Sequence, residues 1–81
     1  MKYFVCRKNL KTGTIEFQKC KCLDIFVPER FVRENPSAVW QFSSGGARKI
    51  VERYSAYTQR PFINYDYFAM PVHKIIKEEK T

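Results

Sequence analysis

The chain has 81 residues, a length that corresponds to one domain, and carries a formal net charge of +7. With 44% hydrophobic and 16% aromatic residues it is too apolar to be disordered. It contains no run of the roughly 20 apolar residues that a membrane span needs. We therefore expect a single small basic domain over residues 1–81 with no membrane contact.

The N-terminus and the cysteines indicate the compartment. An apolar run of only four residues precedes Arg7 and Lys8, which is too short for a signal peptide. Three cysteines cannot all pair within one chain, whereas small secreted domains usually carry an even set. These features predict reduced thiols and a cytoplasmic location.

Residues 2–9 and 14–22 are predicted to form a β-hairpin. Residues 10–13 between them have the pattern of a type I turn followed by a left-handed glycine, Gly13. This turn fixes the pairing of the two strands. It places three pairs opposite each other: Arg7 with Glu16, Val5 with Gln18 and Tyr3 with Cys20. The other face, predicted to be the core side, carries Phe4, Cys6, Ile15 and Phe17.

The segment after the hairpin is ambiguous. Residues 22–27 either continue the second strand or form a third one. Residues 28–35 have the composition of a polar connection. Beyond them, Pro36 suits the first position of a short helix capped by Asn35, while residues 38–42 could instead form a short strand.

Residues 46–59 are the clearest predicted helix. Ser43 and Ser44 precede it as cap or turn residues, and Pro61 ends it. Its apolar positions follow helical spacing: Ala47, Ile50, Val51, Tyr54 and either Tyr57 or Thr58. Its outward face carries Arg48, Lys49, Glu52 and Arg53.

The C-terminal third completes the predicted fold. Residues 62–69 are aromatic-rich and alternate imperfectly, which favours a strand. Residues 72–80, after Pro71, could be a last strand or a short helix. The sequence therefore predicts an α+β fold with an N-terminal hairpin, a central amphipathic helix, and one or two C-terminal strands on the same small antiparallel sheet.

The sequence contains few candidate residues for catalysis or metal binding. The possible zinc ligands are Cys6, Cys20, Cys22 and His73, but only one residue separates Cys20 from Cys22, whereas structural sites use two to four. The single histidine lies in no nucleophile motif, and the carboxylates are scattered. We expect no enzyme activity, no metal and no cofactor.

The positive charge is concentrated in two segments. Residues 1–22 hold six lysines and arginines against one glutamate, and residues 46–60 hold four against one. Two serines and two glycines, residues 43–46, precede the cations of the second segment at a helix start, where free N–H groups suit an anion. An ordinary helix cap explains the same residues.

Basic residues that alternate with aromatic ones have the ingredients for binding single-stranded nucleic acid, because cations hold phosphates and rings stack on bases. The leading hypothesis is a non-enzymatic module that binds a polyanion, above all nucleic acid, through the hairpin and the helix. The candidate residues are Lys8, Lys19, Lys21, Ser44, Gly45, Gly46, Arg48, Lys49 and Arg53.

The rival hypothesis is a small inhibitor or adaptor that binds another protein. Its candidate anchors are aromatic, because aromatic residues and arginine dominate interface energetics. They are Phe31, Trp40, Tyr65 and Tyr67. A nucleic-acid surface requires the two basic segments to share one side of the fold, and that arrangement distinguishes the two hypotheses.

Overall fold

A computed structural model describes residues 1–22, 24–57 and 62–76 of the chain. Four strands form one antiparallel sheet in the order β3-β2-β1-β4. The strands are β1 (Tyr3–Asn9), β2 (Ile15–Gln18), β3 (Phe26–Pro28) and β4 (Tyr65–Pro71). The helices are α1 (Glu29–Glu34) and α2 (Ser44–Ala56), with short 3₁₀ turns at Pro36–Ala38, Phe62–Asn64 and Val72–Lys74. The predicted α+β fold is confirmed.

The N-terminal hairpin has the predicted register. Arg7 pairs with Glu16 and Cys6 with Phe17. The turn is stabilised by Asn9, whose side-chain oxygen accepts from the N–H groups of Lys11 and Thr12 at 2.8 and 3.1 Å. Gly13 adopts φ +78°, the left-handed conformation that favours glycine. The local turn chemistry thus determines which residues share a face of the sheet.

The hairpin is shorter than predicted at its open end. β2 ends at Gln18 and does not reach residue 22, and residues 26–28 form a separate strand. Tyr3 consequently faces Phe42 and not Cys20, with mutual backbone hydrogen bonds of 2.8 and 2.7 Å. Phe42 makes only this isolated bridge, so residues 38–42 form no regular strand, while Pro36 does open a short 3₁₀ helix.

Both faces of the sheet are covered, where the sequence predicted one core face. On the first face, Phe4, Cys6 and Phe17 are fully buried together with Val32 of α1. On the second face, α2 packs over Val5 and Tyr67 through Ala47 and Tyr54. The predicted core positions Phe4, Cys6 and Phe17 are correct, but they account for only one of two apolar layers.

The helix α1 occupies a segment that the sequence predicted to be a connection. Two ion pairs at i,i+4 spacing support it, Arg33 to Glu29 at 2.8 Å and Arg30 to Glu34 at 3.2 Å. One turn and a half of helix is marginal alone, so its stability comes from Val32, which is buried against the sheet.

The helix α2 begins two residues before its predicted start. Ser43 is its N-cap, and the Ser43 hydroxyl accepts from the N–H of Gly46 at 3.2 Å. The helix ends at Ala56, and the rest of the predicted range, 58–59, lies outside the described residues.

At the C-terminus the predicted strand 62–69 begins as a 3₁₀ turn and becomes extended at Tyr65. Of the segment 72–80, the described residues form a 3₁₀ turn at Val72–Lys74.

Cys6 gives the core a measurable pH dependence. Burial raises the pKa of its thiol from 9.0 to about 12. The folded-state pKa exceeds the unfolded one, so this stabilisation is complete below pH 9 and is lost as the pH rises toward 12. We expect Cys6 to lower the free energy of unfolding by about 1.4 kcal/mol between pH 8 and pH 10, which is the difference between the natural protein and a variant without the thiol in urea denaturation.

The variant Cys6→Ala is the control for this effect. It should be less stable than the natural protein at pH 7, because it leaves a small cavity, yet should lose most of the decline between pH 8 and pH 10. An equal decline in both proteins would assign the pH dependence to other groups.

Candidate nucleic-acid interface

A groove of about 490 Å³ separates α2 from the loop between β2 and β3, and we call it the α2 groove. The sheet contributes Gln18, and Phe42 lies beside it. The lining from the loop is Lys21, Cys22 and Asp24, and that from the helix side is Gly46, Lys49, Ile50, Arg53, Tyr54 and Tyr57. The groove therefore brings one cation from the first basic segment together with two from the second.

Helical spacing explains which residues of α2 reach this groove. Lys49, Arg53 and Tyr57 follow one another at intervals of four, so they form a stripe along one side of the helix. The same helix buries Ala47 and Tyr54 against the sheet. Arg48 is exposed and does not line the groove.

The groove is electropositive. Among the described residues that line it, the cations are Lys21, Lys49 and Arg53, and the carboxylate is Asp24. Within the described ranges, the ion pairs of the protein lie elsewhere, at Arg7–Glu16 and on α1. Within this described part of the chain, the three groove cations therefore form no ion pair and can contact an anionic ligand.

Asp24 and Tyr54 connect the loop to the helix. The Tyr54 hydroxyl donates a hydrogen bond to Asp24, and its ring stacks on Tyr67 at 4.6 Å between centroids. Burial, followed by the bond to Asp24, raises the pKa of Tyr54 well above its usual range. Burial also raises the pKa of Tyr67, against the opposing effect of Arg7. Both tyrosine hydroxyls are protonated at neutral pH. The hydrogen bond from Tyr54 to Asp24 therefore holds the loop against α2.

A second groove of about 570 Å³ adjoins the first, and we call it the Trp40 groove. It is lined by Lys2, Lys19, Cys20, Lys21 and residues 36–41. The N–H of Trp40 donates to the carbonyl oxygen of Lys19 at 2.9 Å, which fixes this segment beside the loop. The Lys21 ammonium lies 5.6 Å from the centre of the Trp40 ring. Lys21 lines both grooves, so the two are neighbours on the surface.

The structure separates the predicted basic residues into two groups. Lys19, Lys21, Lys49 and Arg53 line one or both grooves, as does Gly46. Lys8 lies in β1 opposite Ile15 and Asp66. Both Lys8 and Arg48 are outside the two grooves. Ser44 and Gly45 are exposed at the start of α2, where the Ser43 hydroxyl already bonds the N–H of Gly46.

The predicted aromatic anchors are also divided. Tyr67 is only 6% exposed and belongs to the core, so it cannot serve as a surface anchor. The rings of Phe31 and Tyr65 are half-buried and lie beneath cations, with Lys19 Nζ 5.4 Å and Arg7 Cζ 4.1 Å from the respective ring centres. Trp40 is 46% exposed and is the predicted anchor with the most accessible ring.

Sequence reasoning missed Gln18 as a site residue. Its side chain is 2% exposed, and its Nε2 donates to the carbonyl oxygen of Cys20 at 2.8 Å. Its Oε1 is buried without a hydrogen-bond partner among the described residues. An unpaired buried acceptor costs about 1–3 kcal/mol of stability. A glutamine facing Val5 across a hairpin carries no sequence signal that distinguishes it from a surface residue.

The three cysteines lie in two different parts of the fold. Cys6 is buried on the first face of the sheet, while Cys20 and Cys22 lie in the loop, and all three are free thiols. Residues 1–22, 24–57 and 62–76 contain no group of three or more side chains placed to hold a metal ion. No helix in these same ranges is long and apolar enough to cross a membrane.

Comparisons with known proteins give no relatives. No protein-family model matches the chain, and no curated protein or solved structure is similar to it at a significant level. The two grooves and their residues are therefore the basis for a proposal of function.

Proposed function

We propose that this protein is a binding module for single-stranded nucleic acid. The observation that supports the proposal is the position of Lys21, which lines both the α2 groove and the Trp40 groove. It connects the cations of the first basic segment with those of α2. We call the resulting set the cationic track: Lys2, Lys19, Lys21, Lys49 and Arg53.

The charge of the track suits a phosphate backbone. Lysine and arginine side chains that neutralise phosphates release condensed counterions, and this release drives binding to nucleic acid of any sequence. Along α2, Lys49 and the last-turn residue Arg53 line the same groove as Lys21. A flexible strand that occupies both neighbouring grooves would contact these five cations.

Accessible rings beside the track favour a single strand over a duplex. Trp40 is 46% exposed and Tyr57 is 37% exposed, one in each groove. Unpaired bases can stack on such rings, and each stacked base contributes about 1–3 kcal/mol. In a duplex the faces of the bases are already stacked on one another and are not accessible to these rings.

A small protein that binds another protein is the second candidate, and the exposed ring of Trp40 is the observation that favours it. The surroundings of Trp40 argue for nucleic acid. Lys2, Lys19 and Lys21 line the same groove, and lysine is depleted in the buried centres of protein interfaces.

A salt titration tests the proposal. Fluorescence anisotropy should show the protein binding a labelled single-stranded oligonucleotide, with log K falling against log salt at a slope of about −3.5 for five neutralised phosphates. A duplex of the same sequence should bind more weakly, because its bases are not available for stacking. Absence of binding at 50 mM salt would refute the proposal, and in that case one stoichiometric protein partner, lost on Trp40→Ala, would support the second candidate.

A further inference from the structure

The α2 groove contains a group that a phosphate backbone does not need. Gln18 lines this groove, and its Oε1 is a hydrogen-bond acceptor that has no partner among the described residues. A phosphate diester has no N–H or O–H group to donate. An acceptor at this position is therefore matched to another part of a ligand, one that carries a donor.

The other walls of the groove suit the remaining parts of a nucleotide. Lys49 and Arg53 supply cations for a phosphate, and Tyr57 supplies a partly exposed ring for a base. The volume of about 490 Å³ lies within the roughly 300–1,000 Å³ of small-molecule sites. Every nucleobase carries at least one N–H donor on its edge, which Gln18 could accept.

We infer that the α2 groove is a pocket for one nucleotide, either free or at the end of a strand, an assignment that rests on the proposed affinity for nucleic acid. The base enters toward the sheet and donates an N–H to Gln18 Oε1, while its phosphate remains near Lys49 and Arg53. Because Oε1 is buried, the base reaches it only when the Gln18 amide turns about its terminal torsion, which is broad for glutamine, and gives up the hydrogen bond from Nε2 to the carbonyl oxygen of Cys20. The Trp40 groove then holds the neighbouring part of the strand.

The test compares nucleotides with a phosphate that has no base. The full chain, labelled with ¹⁵N, is titrated at low salt with each of the four nucleoside 5′-monophosphates and with ribose 5-phosphate. The best nucleotide should bind at least about 10-fold more tightly than ribose 5-phosphate, because of stacking and the bond to Gln18. Equal affinities would overturn the inference.

Two variants test the role of Gln18. Gln18→Leu keeps a similar volume without the acceptor, and should bring the ratio between nucleotide and ribose 5-phosphate closer to one. Arg48→Gln, which changes the same helix outside the groove, should leave that ratio unchanged. A folded Gln18→Leu protein with an unchanged ratio would overturn the role of Gln18. If this variant fails to fold, the comparison of ligands on the natural protein still decides whether the pocket exists.

The source of the nucleotide is tested by competition. A linear oligonucleotide and a circular one of the same sequence are each added to the protein with its nucleotide bound. Displacement by the linear one alone identifies the end of a strand as the ligand. Displacement by neither identifies the free nucleotide as the ligand, and would contradict the part of the proposed function that places a strand on Lys49 and Arg53. A circular strand that competes as well as the linear one would overturn the single-nucleotide pocket, since internal bases would then occupy the groove.

These experiments distinguish a failure of the single-nucleotide pocket from a failure of the proposed function. Salt-dependent binding of oligonucleotides together with equal affinity for nucleotide and ribose 5-phosphate would remove the pocket and leave the function. Binding of nucleotides without binding of any strand would retain the pocket and remove the function.

Discussion

Replacing Lys21, Lys49 and Arg53 together by glutamine is expected to weaken the binding of single-stranded oligonucleotides by about 100-fold at 0.1 M salt. Each neutralised phosphate contributes about 0.7 to the slope of log K against log salt for a single strand, which corresponds to about five-fold in affinity at this concentration. The slope should fall by about 2 in the triple variant. Fluorescence anisotropy over a series of salt concentrations measures both quantities.

A matched triple variant separates the groove from the total charge. Lys8, Lys11 and Arg48 are all exposed and lie outside both grooves, so their replacement by glutamine removes the same net charge elsewhere. This control should lose only a small part of the affinity, and exposed substitutions of this kind change stability by about 0.5 kcal/mol or less. Equal losses in the two triple variants would mean that binding follows net charge and not the α2 groove.

Phe17→Ala is expected to lower the free energy of unfolding by about 3–5 kcal/mol. Phe17 is fully buried on the first face of the sheet, and its ring meets that of Phe4 edge to face, with 5.5 Å between centroids. A protein of 81 residues has a total stability of roughly 4–12 kcal/mol, so the loss is a large fraction of the whole. Urea denaturation followed by circular dichroism gives the value.

Leu10→Ala is the control for this measurement. Leu10 is 61% exposed in the hairpin turn, and the same kind of truncation there should change stability by about 0.5 kcal/mol or less. If Phe17→Ala has no cooperative transition at all, Phe17→Leu provides a measurable intermediate value. A loss below 1 kcal/mol for Phe17→Ala would contradict the placement of Phe17 in the core.

The predictable parts of the fold are those with strong local signals. The turn that ends at Gly13 defines the hairpin register. It does so through the positive φ of Gly13 and the hydrogen bonds that the Asn9 side chain accepts, and both are local effects. The helix α2 follows from its apolar spacing and the Ser43 cap. In contrast, α1 has only one buried residue, Val32, and its existence depends on packing against the sheet.

The candidate site could be predicted only in its composition. The two basic segments are evident in the sequence, but their meeting at Lys21 depends on where α2 lies on the sheet. Strand alternation indicated one buried face, and α2 covers the other, over Val5 and Tyr67. This placement selects Lys49 and Arg53 for the groove and leaves Arg48 outside it.

The strand order also bears on how the molecule is made. β1 is the first strand in the sequence and β4 is the last of the described strands, yet the two are neighbours in the sheet, where Cys6 pairs with Phe68. A ribosome releases β1 long before its second partner exists, and contacts so distant along the chain slow the folding reaction. α2 packs on both of these strands. The groove therefore forms only after β4 has left the ribosome, and we expect nascent chains that lack β4 to have no organised groove.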